Sequence, residues 1–236
     1  MRTWVNVARY QLIRPALYLG MPWAIMAFSF AVNLAIFSLF PIHSGVPHSN
    51  NAYHDTGAIA VIYIFFFVMG ITSAAQSLPF GLALGVSRRS YYTGTALLAV
   101  TLAAADGLLL TVLQAIERAT GGWGEAMHYF RVPYILIGPW YLTWLTSFVG
   151  LALLFIYGMW FSIVYRRWRM SGTLAFLAAQ VTVVLAIVLL IIRTDAGPGI
   201  ARFLTGLPAA GLTGLLAALA ALLFAGGYAT IRRVTV

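Results

Sequence analysis

Long uninterrupted apolar runs decide what this chain can fold into. A helical segment of about 20 apolar residues, rising about 1.5 Å each, matches the hydrocarbon thickness of a bilayer. Six stretches qualify, roughly 17–40, 57–78, 93–116, 139–164, 171–192 and 208–230. In hydrocarbon every backbone N–H and C=O must be paired internally, which leaves helices and closed barrels. Barrel strands would read as short alternating segments, unlike these runs. The expected fold is an all-α polytopic membrane protein, one domain over 1–236 with six transmembrane helices. Only 8% of residues are charged and 62% are hydrophobic, whereas a soluble domain carries about 25% charged residues. A soluble globular fold is excluded.

The connecting segments supply orientation. The net charge is +9, and all fourteen basic residues are arginine. They stand singly or in small groups at the ends of apolar runs, as headgroup anchors do, and not in a nucleic-acid patch. With both termini cytoplasmic, the inside holds Arg2, Arg9, Arg14, Arg88, Arg89, Arg166, Arg167, Arg169, Arg232 and Arg233. The outside holds Arg118, Arg131, Arg193 and Arg202. That asymmetry obeys the positive-inside rule and predicts a multi-pass cell-membrane protein. Asp55, Glu117, Glu125 and Asp195 then fall in outer segments. Residues 1–16 read as an interfacial amphipathic helix, with Trp4, Val7, Ala8 and Leu12 near helical spacing before Pro15. A frayed terminus is the alternative. No cleavable signal peptide is expected, because the first apolar run is too long for one.

Few residues can carry chemistry. There is no cysteine, and neither G-x-S-x-G nor H-E-x-x-H occurs. His43, His48, His54 and Asp55 lie in one outer loop at spacings that match no rigid ligand pair, so a solvated loop is expected and no metal. Asp106 is the one acid expected inside a span, where a carboxyl is costly unless paired, protonated or facing water. Asn33, Gln114 and Gln180 are the other polar candidates for a substrate path. Hydrogen bonding between neighbouring helices explains the same residues equally well. In the last span Ala210, Gly214 and Ala218 make a small-residue stripe that admits close helix approach.

The segment "LPFGLALGVSRRSYY", residues 78–92, is apolar yet broken by Pro79, Gly81 and Gly85, and it ends in Arg88 and Arg89. On one continuous helix Phe80, Leu84 and Tyr91 fall within about 40° of one face. The two arginines would then sit at a helix C-terminus, which favours cations. An apolar ridge facing the cytoplasm docks into a partner's groove; an ordinary interfacial loop is the other reading.

Six spans, cytoplasmic ends, an amphipathic N-terminal helix and "LPFGLALGVSRRSYYTGTALL" together resemble the permease subunits of ABC-2 type exporters. The run Leu-Gly-Val-Ser-Arg-Arg-x-Tyr-Tyr is frequent in small bacterial members. The resemblance implies that 79–92 is the coupling segment, with Phe80, Leu82, Leu84, Gly85, Arg88, Arg89 and Tyr91 resting on an ATP-binding-cassette subunit. It further implies a second permease copy or a sister permease, and a substrate moved out across the membrane. This chain would have no catalytic residue and no cofactor of its own. With no lysine it has no P-loop, so ATP and Mg²⁺ would be bound by the partner. Residues 193–207 are shorter than the re-entrant helices found there in the family, and no outer gate is assigned to them. Alternatives are an ATP-independent small transporter or channel, or a membrane-embedded enzyme or assembly subunit.

Overall fold

The structure, a computed structural model, describes residues 16–39, 54–55, 57–131, 139–195, 197, 199 and 209–231. Residues 1–15, with most of the interfacial-helix expectation, lie outside the described residues. So do His43, His48, most of 193–207, Arg232 and Arg233.

The described chain is almost entirely helical. A π-helical turn, Ala16–Gly20, opens into α1, Met21–Leu39. Helix α2, Ala60–Thr72, runs through a second π-helical turn, Ser73–Ser77, into α3, Leu78–Ala83. Helix α4 is Arg88–Ala119, α5 is Trp140–Arg193 and α6 is Ala209–Ile231. Among the described residues five helical segments are long and apolar enough to cross a membrane: Tyr18–Leu39, Ala60–Ala83, Arg88–Ala119, Trp140–Arg193 and Ala210–Ile231. The protein is therefore an all-α protein of membrane type.

Helix α5 is not one rod. At Arg169 the backbone leaves the helical region, with φ 58° and ψ −154°, and the arms 140–168 and 170–193 fold back on each other. Tyr157 donates to Gln180 Oε1 at 2.6 Å, and the Trp160 and Phe176 rings meet edge to face at 5.1 Å. Both pairs are nearly symmetric about Arg169, as an antiparallel hairpin requires.

Close helix approach rests on glycine. A Cβ on Gly70 of α2 would lie 2.1 Å from Phe155 O, and one on Gly158 of α5 would lie 2.1 Å from Phe67 O. Without a hydrophobic drive between helices in lipid, backbone proximity and packing supply the adhesion. The main core gathers Ile62, Phe66, Leu98, Leu151 and Phe155 with Met127 and Tyr129 from the connection after α4. A smaller cluster of Leu78, Tyr91, Tyr92, Met159, Ile163 and Ile231 closes one end of the bundle. The opposite end carries a two-residue parallel ladder, His54–Asp55 with Met127–His128.

Candidate functional site

The segment singled out in the sequence lies between α3 and α4, and its local conformation follows from four residues. Pro79 stands in the first turn of α3, where its missing N–H would otherwise have bonded the carbonyl four residues back, that of Ala75. That carbonyl accepts from the Arg166 guanidinium instead. The helix therefore passes through the proline, and the tip of the α5 hairpin is tied to it.

Helix α3 ends at a Schellman motif. Val86 N–H bonds Gly81 O at 3.0 Å and Gly85 N–H bonds Leu82 O at 3.0 Å. Gly85 takes φ +79°, the left-handed conformation that this cap demands and glycine supplies without a Cβ clash. Two residues on, Ser87 caps the next helix: its Oγ accepts from Ser90 N–H at 3.1 Å.

This geometry revises the expected ridge. Residues 79–92 are not one segment but the end of α3, a tight turn and the first turn of α4. Phe80 and Leu84 are exposed, 47% and 66%, with exposed Gly85 and Arg89 beside them. Leu82 is half-buried against the smaller core cluster, and Arg88 is half-buried. Tyr91 is buried, 2% exposed, and its hydroxyl donates to Ser73 O at 2.6 Å. The turn at Gly85 breaks the helical phase, so Tyr91 faces inward and cannot join Phe80 and Leu84. Arg88 and Arg89 likewise open α4 and do not close a helix, which removes the favourable C-terminal dipole contact expected for them.

The same end of the bundle concentrates positive charge. Arg88 and Arg89 stand at the start of α4, while Arg166, Arg167 and Arg169 occupy the hairpin tip that Arg166 ties to Ala75. A cavity of about 390 Å³ lies there, lined by Ala75, Ser162, Tyr165, Arg166 and Arg169. Arg118 and Arg193 stand at the far ends of their helices, with Arg131 beyond the end of α4.

The polar candidates inside the bundle do not converge on one path. Asp106, 3% exposed, accepts from Trp23 Nε1 of α1 at 2.8 Å. Its other oxygen, Oδ2, is buried with no hydrogen-bond partner among the described residues. Gln114 donates to Phe130 O at 3.4 Å, Asn33 donates to Ser29 O on its own helix at 2.8 Å, and Gln180 is held by Tyr157.

Sequence reasoning missed Glu117. Expected in an outer segment, it lies in the last turn of α4 and is 1% exposed. Its Oε2 accepts from Phe130 N–H at 2.8 Å, Tyr129 N–H at 3.0 Å and Trp123 Nε1 at 3.2 Å. The turn that returns the chain runs through Gly121 and Gly122 at positive φ. A Cβ on Gly122 would stand 2.7 Å from Met127 N. The signal was present in "TGGWG", a glycine-rich reversal that directs the following residues back over the helix end.

No protein-family model, curated protein or solved structure matches the chain.

Proposed function

We propose that this chain is the membrane-spanning permease subunit of an ABC-2 type exporter, moving a substrate out of the cell on ATP hydrolysis by a separate subunit. The observation that carries the reading is the α3–α4 turn. Two large apolar side chains, Phe80 and Leu84, stand exposed at the end rich in arginine, a position suited to seating in a partner's groove. The backbone beneath them is held by the Schellman cap and by Arg166 on Ala75 O, so a push on the turn reaches both α2 and the hairpin.

In this reading the two arms of α5 cross separately, making six crossings with both termini cytoplasmic. A second permease copy or a sister permease completes the translocation unit, and ATP and Mg²⁺ reside on the partner. Conformational alternation is then driven by the partner's differential affinity for the two states.

Affinity purification from native membrane tests this. The retained partner should hydrolyse ATP, and the chain should stimulate it. Burying a Phe or Leu side chain is worth about 1.5–3 kcal/mol, so Phe80→Ala with Leu84→Ala should release the ATPase from a normally inserted permease. Recovery of no ATPase, or full retention and stimulation by the double variant, overturns the assignment.

Asp106 supports a second reading, an ATP-independent transporter or channel, since one of its buried oxygens has no hydrogen-bond partner among the described residues. Proton-coupled flux by the lone chain in liposomes, lost in Asp106→Asn, would favour it.

A further inference from the structure

Between α4, the N-terminal arm of α5 and α6 lies a cavity of about 800 Å³, within the roughly 300–1,000 Å³ of small-molecule sites. Leu97 and Val100 form one wall, Phe148 and Ile156 another, and Ala217 and Ala221 the third. Three of the four α6 residues that line it, Ala217, Ala220 and Ala221, are alanines whose side chains are too short to fill the space, and Phe224 closes the end. Thr93 brings the one hydroxyl among the lining residues, and it is turned back on its own helix, donating to Arg89 O at 2.9 Å. Nothing inside the groove selects a polar ligand.

Its mouth differs. Tyr92, next to Thr93, donates to Phe224 O at 2.8 Å, which puts the Thr93–Phe224 end of the groove at the arginine-bearing end of the bundle. At about 100° per residue, Arg89 falls within about 40° of Thr93 on α4, whereas Arg88 falls about 140° away. Arg89 is exposed and shares the helix face of Thr93, Leu97 and Val100, which line the groove. The groove therefore runs along the bundle axis from a cation into the hydrocarbon.

We propose that it binds an anionic phospholipid from the leaflet at the arginine-bearing end, one acyl chain between the helices and the phosphate on Arg89. Lipid tails and apolar side chains are equivalent solvents, so the tail alone confers no choice. The guanidinium, planar and weakly hydrated, selects the phosphate headgroup. A second copy of the chain in the same orientation is a poorer occupant. Among the described residues Asp106 and Glu117 lie further along α4 and Asp195 lies past the far end of α5, so that copy would bring arginines and none of these acids to Arg89. The site needs neither an ATPase nor transport, and it is tested on the chain alone, where the Arg89 that the exporter resemblance rests on an ATP-binding subunit is open to lipid.

The full chain is reconstituted in vesicles of equimolar phosphatidylglycerol and phosphatidylcholine, extracted in mild detergent, and its retained lipid quantified by mass spectrometry. Wild type should retain phosphatidylglycerol several-fold over its bulk ratio. Arg89→Gln should return that ratio to bulk while total lipid stays near wild type. Ala221→Phe, which fills the groove, should lower total retained lipid; Ala217→Leu serves if that variant fails to insert. Arg167→Gln, an arginine at the same end whose guanidinium lies over Trp168 at 4.4 Å, should leave the enrichment intact. A wild-type ratio equal to bulk overturns the proposal, as does an equal loss in Arg167→Gln and Arg89→Gln. A groove-filling variant that changes oligomeric state but not retained lipid overturns it in favour of a second copy.

Discussion

Glu117 and Asp106 lie on one helix, about three turns apart, yet their surroundings differ. Glu117 satisfies two backbone N–H groups and an indole with one oxygen, so its carboxylate organises the connection after α4. Around it Phe30 packs edge-on against Trp123 at 4.9 Å and Tyr129 at 5.1 Å, pairs worth about 0.5–1.5 kcal/mol each. Glu117→Ala orphans two buried donors at about 1–3 kcal/mol apiece. We expect a lower thermal midpoint in detergent and faster proteolysis within 120–131. Glu117→Gln, which keeps an acceptor, should lose less. Asp106 makes one hydrogen bond across helices, to Trp23, and such bonds are worth about 0.6 kcal/mol in membranes. Trp23→Phe also leaves that buried carboxyl with no partner among the described residues, at about 1–3 kcal/mol, so it should insert but show a lower thermal midpoint. A collapse of expression in that variant would mean that the indole bears more of the α1 docking than its hydrogen bond explains.

Elements are joined here by short motifs whose cost can be read at single positions. Gly85 sits at φ +79°, so Gly85→Ala should cost about 1–2 kcal/mol for a left-handed L-residue. Ser87→Ala should cost about 0.5–2 kcal/mol as a lost N-cap. Both changes loosen the α3–α4 turn without touching Phe80 or Leu84. If that turn transmits force to a partner, Ser87→Ala should impair transport while leaving partner retention near wild type. The α2–α5 crossing is less forgiving, because Gly70 and Gly158 each face backbone of the other helix. Overpacking costs about 1–3 kcal/mol in well-packed interiors, and backbone cannot rotate aside as a side chain can. Gly158→Ala should lower the thermal midpoint clearly, whereas Gly214→Ala, with nothing within 4 Å of its Cβ, should leave it unchanged.

At the scale of the whole molecule, the α5 hairpin ties the arginine-bearing ends together. Arg166 reaches Ala75 O, and Ile231 at the end of α6 packs with Tyr91 and Leu78. The second arm of α5 leaves Val181, Leu185, Leu189 and Ile192 exposed, as suits a helix facing lipid. A topology with this end cytoplasmic makes a direct prediction, since the chain has no cysteine of its own. In intact cells Ser87→Cys and Ser171→Cys should resist an impermeant thiol reagent, while Thr120→Cys is modified. Labelling at Ser87 alone would break the shared end; labelling at both Ser87 and Ser171 with protection at Thr120 would invert the molecule.

Sequence by itself determined the class of fold and the ends where charge collects. Apolar run length and arginine position are local properties that the bilayer reads directly. It also contained the turn chemistry of Gly85 and Ser87, although one continuous helix through 80–91 was the expectation, and that error put Tyr91 on the wrong face. Only tertiary structure decided which apolar faces meet protein. Lipid-facing and helix-facing residues are equally apolar, so the 3.6-residue pattern that marks a soluble helix's core face is muted here. Thus the burial of Glu117, the pairing of Asp106 with Trp23 and the alanine-walled groove beside Arg89 depend on which helix lies alongside. That is settled by long-range packing through Gly70, Gly158 and the return at Arg169, where contact partners are far apart in sequence and no local signal names them.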